Sequence, residues 1–129
     1  MNRKQAREFV MQTMFQIEVQ KDFENPDIDG YMAECGAGNQ KDYISNLLSQ
    51  ICSNIERIDY MIDDASEGWP ASRMTKPDLA VIRVAVGEML YADDVPDAVA
   101  INEAVNLAKA YGTDQSPKFV NAVLAKIKK

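Results

Sequence analysis

"EGWPASRMTKPD" occupies residues 67–78, and its reading decides how the chain is divided. Gly68 and Pro70 stop any helix that arrives from the N-terminal side. Thr75 supplies an N-cap oxygen, Pro77 suits a first helical turn, and Asp78 sits where a helix dipole favours a negative charge. One helix therefore ends before this stretch and another begins at its far side. After it, Leu79, Ile82, Val86, Met89 and Leu90 recur at helical spacing on one face.

Outward from that boundary the same period continues. Ala6, Phe9, Val10, Thr13, Met14 and Ile17 stripe a first helix over about residues 3–20, and Asn25–Pro26–Asp27 punctuates its end. A short helix is expected from Ile28 to Ala33, then a loop at Gly36–Ala37–Gly38. Ile44, Leu47, Leu48, Ile51, Ile55, Ile58 and Ile62 mark a long helical run with a candidate break near Asn54. "DDVPD" (93–97) interrupts the chain again. Ile101, Ala104, Val105, Ala108 and Tyr111 stripe the next helix, with Gly112 as its C′ residue. Ser116 reads as the cap of the last helix and Pro117 as its first residue, followed by Phe119, Val120, Val123, Leu124 and Ile127. No strand, repeat or low-complexity tract stands out. The expectation is an all-α single domain over 1–129, with six or seven helices in two packed halves, 1–67 and 68–129.

Composition narrows the function. The 129 residues hold no histidine, which removes the commonest general base and the commonest metal ligand together. No GxSxG, GxxxxGK[ST] or GxGxxG string occurs, so nothing suggests an enzyme, a cofactor, a metal or a small-molecule substrate. No run reaches the roughly 18 apolar residues that span a bilayer, and the N-terminus lacks an export signal. A cytoplasmic protein with Cys35 and Cys52 as plain thiols is expected.

The formal charge of −6 hides an asymmetry. Residues 1–21 hold four bases and two acids. Residues 22–67 hold two bases and eleven acids, and residues 68–129 hold eight bases and seven acids. Both ends can therefore meet nucleic acid, while the central acidic block is a solvated face that also discourages binding on the wrong side.

Particular residues carry the resemblance to a known family. Trp69–Pro70, Asp78 with Ala80, Ile82 and Arg83, Glu88–Met89–Leu90–Tyr91, Asp94–Val95–Pro96, Ala100 through Ala104 and Ser116 through Asn121 occur in one order and spacing. Together with "RKQAREFVMQTMFQIE" (3–18), they resemble the transcription antitermination factor NusB. The match covers most of the chain; residues 22–60 agree only in pattern. The resemblance implies an all-helical fold of two halves and no catalysis. It also implies partnership with the ribosomal protein NusE and binding to boxA, a single-stranded signal in ribosomal RNA leaders. The pair acts within the RNA polymerase antitermination complex.

Site residues follow from that resemblance and from local chemistry. Arg3, Lys4 and Arg7 lie within one helical turn of each other, as a phosphate clamp or as a solvated helix end. Gln5 takes one place in what is a denser arginine run in several relatives. Phe119, flanked by Lys118 and Asn121, either stacks on a base beside a phosphate-binding helix N-terminus or packs inward toward Val123. Phe15, at the family's usual aromatic position, is either the rim of the RNA surface or part of the junction between halves. Gln115 replaces an acid common in relatives and should ease RNA approach. Trp69 is expected to wedge between the halves, and Arg83 to pair with Asp78 or Glu103 as scaffold. Glu88, Asp93 and Asp94 are acidic candidates for a basic partner, on charge alone. Two other readings are a targeting domain of ribosomal RNA cytosine methyltransferases, which would need a following catalytic domain, and a protein adaptor or homodimer without RNA binding. The chain stops at Lys129, which argues against the first.

Overall fold

The computed structural model describes residues 1–127, in which seven α-helices and two single-turn 3-10 segments occur and no strand. Asn2 starts α1 (Arg3–Gln20) with a reciprocal cap: its side chain accepts from the Gln5 amide, and the Gln5 side chain accepts from the Asn2 amide. The residue standing in for an arginine thus closes a capping box, which satisfies two amides at a helix end. Next come α2 (Ile28–Met32), a 3-10 turn at Gly38–Gln40, α3 (Lys41–Ser53) and α4 (Ile55–Ala65). The break between α3 and α4 is a single residue, Asn54, whose N–H donates to both Gln50 O and Ile51 O.

The boundary stretch folds much as its residues require. Glu67 and Gly68 take left-handed φ values of 47° and 88°, turning the chain after α4. A 3-10 turn at Ala71–Arg73 leads to α5 (Lys76–Tyr91), and Thr75 caps α5 by accepting from the Asp78 amide. Trp69, expected as a wedge, is instead 49% exposed. Ala71 and Met74 are the buried residues of this connection, and the left-handed turn carries the indole outward.

Every residue of α5 from Asp78 to Glu88 is buried. This helix is the axis of the molecule, packed by α1, α3, α4, α6 (Asp97–Tyr111) and α7 (Ser116–Ile127). One apolar cluster runs through Met14, Ile17, Leu48, Ile51, Ile58, Ile82, Val86 and Leu124, so the core crosses the 67/68 boundary rather than stopping there. Arg83, within this helix, pairs with neither expected acid. Its Nη1 donates to Glu18 at 2.9 Å, while Nε and Nη2 grip Asp59 at 2.9 and 2.7 Å. Phe23 lies under the guanidinium, 5.1 Å from ring centre to Cζ. The pairing ties α1 and α4 to the central helix.

Two helix ends differ from expectation. Gly112 follows α6 with φ −98°, so no left-handed cap requires glycine there. Bulk does: a Cβ would stand 2.3 Å from Ser116 Oγ. Ser116 is itself the first residue of α7 and is buried, with its Oγ accepting from the Thr113 amide instead of capping its own helix. The first bond of α7 runs from Phe119 N–H to Gln115 O. Both cysteines are free thiols; burial, with Asp22 adding to it, pushes the Cys52 thiol up to about 11. No helix among the described residues is long and apolar enough to cross a membrane.

Candidate nucleic-acid interface

The basic start of α1 divides into two outward cations and one inward cation. Lys4 is well exposed, its side chain at 71%, with Nζ 3.8 Å from Glu103. Arg3 is half-exposed and held on three sides: Nε donates to Gln40 at 2.7 Å, Nη1 approaches Asp94 at 3.5 Å, and the guanidinium lies 4.0 Å from the centre of the Tyr43 ring. Arg7 points the other way. It is 5% exposed and forms a two-pronged pair with Glu88, Nε–Oε1 at 2.8 Å and Nη2–Oε2 at 2.9 Å. Burial alone would lower the Arg7 pKa, but the Glu88 hydrogen bonds and charge outweigh it, so the pKa is raised and the cation is held.

That geometry corrects two expectations. Arg7 belongs to the interior and leaves little surface for a phosphate, because Nε and Nη2 are closed by a carboxylate of fitting shape and Nη1 lies 3.8 Å from Glu103. Glu88, offered as a partner contact, has no exposed surface at all. It also accepts from the Tyr43 hydroxyl at 3.0 Å. Asp93 and Asp94 are exposed, and with Arg3, Asp42, Asn46 and Tyr43 they line an open groove of about 640 Å³.

The second set of candidates lies at the start of α7. Lys118 and Asn121 are exposed there, while Phe119 is half-buried against the core. The ring is divided: one portion packs on the core and the rest meets solvent. Helix α6 links the two sets. Near its middle Glu103 sits 3.8 Å from both Lys4 and Arg7. At its end the Tyr111 hydroxyl accepts from Gln12 Nε2 at 2.9 Å. A shallow, largely apolar groove of about 260 Å³ lies between α1 and α6, lined by Lys4, Gln5, Glu8, Asn106 and Leu107 among others. Helix α6 thus touches α1 through Glu103 and Tyr111 and packs on α7, whose first turn carries Lys118 and Phe119. Phe15, 38% exposed on α1, lies one turn beyond Gln12.

Some contributors were missed at the level of sequence. Tyr111 falls on a helical stripe and reads as core, yet it is 38% exposed. Gln40 and Tyr43 lie near forty residues in sequence from Arg3, and no local pattern connects them. Chemically, the arrangement offers exposed cations, a helix N-terminus and a part-open aromatic ring, which suits phosphates and unstacked bases. Among the described residues no cluster of three or more carboxylate or thiol side chains is placed to hold a metal.

Residues 4–129 match the NusB family. The chain is 39% identical over 127 residues to the transcription antitermination protein NusB of Alkaliphilus oremlandii, covering 98% of this chain and 92% of that protein. It is 40% identical over 130 residues to the NusB of Acetivibrio thermocellus, covering 100% and 90%. Among solved structures, NusB of T. maritima superposes with a TM-score of 0.87 at 32% identity, covering 98% of this chain and 90% of that one.

Proposed function

The chain belongs to the NusB family of transcription antitermination proteins, and on that premise we propose that it binds boxA-type single-stranded RNA of ribosomal RNA leaders together with the ribosomal protein NusE. In this role it supports processive transcription within the RNA polymerase antitermination complex and catalyses no reaction. What supports the reading is the family together with exposed cations at two places, Arg3 and Lys4 at the start of α1 and Lys118 beside the part-open Phe119 at the start of α7. Arg3, Lys4 and Lys118 meet phosphates, each releasing counterions without sequence choice. The exposed part of Phe119 stacks on a base, Asn121 reads or braces beside it, and Phe15 borders the same surface.

The partner reading is narrower than the charge pattern alone suggests. With Glu88 enclosed, Asp93 and Asp94 are the acids of that group exposed to a basic protein. A titration tests the whole proposal: boxA-like RNA against a scrambled RNA of equal length, with NusE present and absent, at moderate salt. Tighter binding of boxA RNA when NusE is present is expected. Equal binding of the two RNAs in both conditions overturns the reading in favour of an adaptor without RNA specificity.

A further inference from the structure

We propose that Tyr43 is a positioning residue for RNA binding: its ring holds the Arg3 guanidinium at the surface while its hydroxyl is anchored on the buried Arg7–Glu88 pair. The proposal rests on the reading that Arg3 contacts phosphate. Three observations meet at this side chain. The Arg3 guanidinium lies 4.0 Å from the Tyr43 ring centre, within the range of an attractive cation–π contact. The Tyr43 hydroxyl donates to Glu88 Oε2 at 3.0 Å, and Glu88 is gripped by Arg7 from the other side. Gln40 accepts from Arg3 Nε at 2.7 Å and so fixes the rotation of the fork.

The physical consequence is preorganisation. A free arginine side chain must give up much of its rotamer freedom when it is immobilised. Here a stacked ring and an amide oxygen have already restricted it, and the ring is in turn fixed by a buried carboxylate. A guanidinium carries more N–H donors than its contacts to Gln40 and Asp94 use, so the fork retains donors for a phosphate oxygen. Burial, with the Glu88 charge adding to it, pushes the Tyr43 hydroxyl well above its ordinary value; it remains a donor at any pH where RNA binding is measured.

The test is a salt series of RNA titrations on the full chain with NusE, comparing the parent with Arg3→Gln, Tyr43→Leu, Tyr43→Phe, Gln40→Ala and the double variant Arg3→Gln/Tyr43→Leu. Losing one phosphate contact on a single strand should reduce the slope of log affinity against log salt by about 0.7. Arg3→Gln should show that fall, Tyr43→Leu most of it, and the double variant no more than Arg3→Gln alone. Tyr43→Phe keeps the ring but loses its anchor on Glu88 and should show a partial fall, smaller than that of Tyr43→Leu; Gln40→Ala should show a partial fall of the same kind. If Arg3→Gln flattens the slope while Tyr43→Leu and Gln40→Ala leave it at the parent value, the positioning role is wrong and the phosphate reading stands. If Arg3→Gln changes nothing, both fall. Should Tyr43→Leu fail to fold, Gln40→Ala and Tyr43→Phe decide: a lowered slope in both supports the proposal, and a parental slope in either overturns it.

Discussion

Arg7 and Glu88 face each other across the α1–α5 contact in two parallel hydrogen bonds of 2.8 and 2.9 Å, and Glu88 has no solvent-exposed surface. A charge so placed depends wholly on its partner. Removing one member of such a pair typically costs about 3–5 kcal/mol, because the other charge remains buried and uncompensated. Arg7→Met should therefore lower the unfolding free energy measured in urea by an amount in that range, with Glu88→Leu similar. The double variant Arg7→Met/Glu88→Leu should be less destabilised than the sum of the two. Where folded Arg7→Met protein is assayed, the salt dependence of its RNA binding should match the parent, which separates this arginine from Arg3 and Lys4. A flattened slope in Arg7→Met would assign the side chain to the RNA surface after all.

The second buried network sets an acid limit. Glu18 accepts from Arg83 and is paired with Lys21, and Lys76 lies 3.9 Å away. Burial on its own would raise the Glu18 pKa; the hydrogen bonds from Lys21 and Arg83 overcome it, so the folded value lies below the ordinary 4.5. A group with a depressed folded pKa contributes stability that is complete above its unfolded value and is lost as pH falls through the folded one. Chemical denaturation should show this contribution intact at pH 7 and declining below about 4.5. Glu18→Gln should be less stable than the parent at pH 7, and the gap should narrow by pH 3. A gap independent of pH would mean that the carboxylate's charge is not what stabilises this contact.

The helices themselves were legible because each rests on local information. The α1 stripe predicts 3–20 and the structure has Arg3–Gln20; Thr75, Pro77 and Asp78 mark the start of α5 correctly. The contacts that decide the candidate site are not local. Arg7 and Glu88 lie 81 residues apart, and Arg83 lies 65 residues from Glu18. A one-dimensional pattern shows each as a charge on a helix and says nothing of which helix will face it. Arg83 could thus be expected to pair with Asp78 or Glu103, acids of its own half, whereas packing supplied Glu18 and Asp59. Burial of a charge was the other hidden variable. Arg3, Lys4 and Arg7 look alike in sequence, yet the direction of the helix face sends one into the core and two to the surface. Trp69 fails in the opposite sense: its size suggests burial, but the left-handed pair Glu67–Gly68 points it outward.

Gly87 shows how closely α3 and α5 approach. A Cβ at this position would stand 2.6 Å from Ile51 Cγ1, 2.9 Å from Ile51 Cδ1 and 3.2 Å from Leu47 Cδ1. Ile51 and Leu47 are both buried, so neither has room to swing aside. Overpacking of this kind costs about 1–3 kcal/mol, while replacing a mid-helix glycine with alanine recovers about 1 kcal/mol. Gly87→Ala should therefore be neutral to moderately destabilised in thermal melts. Combined with Ile51→Ala, it should lose less than the two single changes added together, since the new methyl occupies space that the isoleucine leaves. Strict additivity would mean that the helices separate instead of repacking.

Phe119 now poses a divided question, because part of its ring packs on the core and part is open. Phe119→Ala would lose both contributions at once and so cannot separate them. Phe119→Leu can: leucine retains most of the apolar contact but has no aromatic face. Base stacking on a ring is worth about 1–3 kcal/mol. Phe119→Leu should therefore melt close to the parent yet bind boxA-like RNA several-fold to a hundredfold more weakly, with its salt slope unchanged. The neighbouring Lys118→Ala should do the reverse, leaving stability alone because Lys118 is exposed and reducing the salt slope by about 0.7. If Phe119→Leu binds RNA as tightly as the parent, the open part of the ring is incidental. The first turn of α7 then contributes the Lys118 charge to RNA binding, without a stacked base.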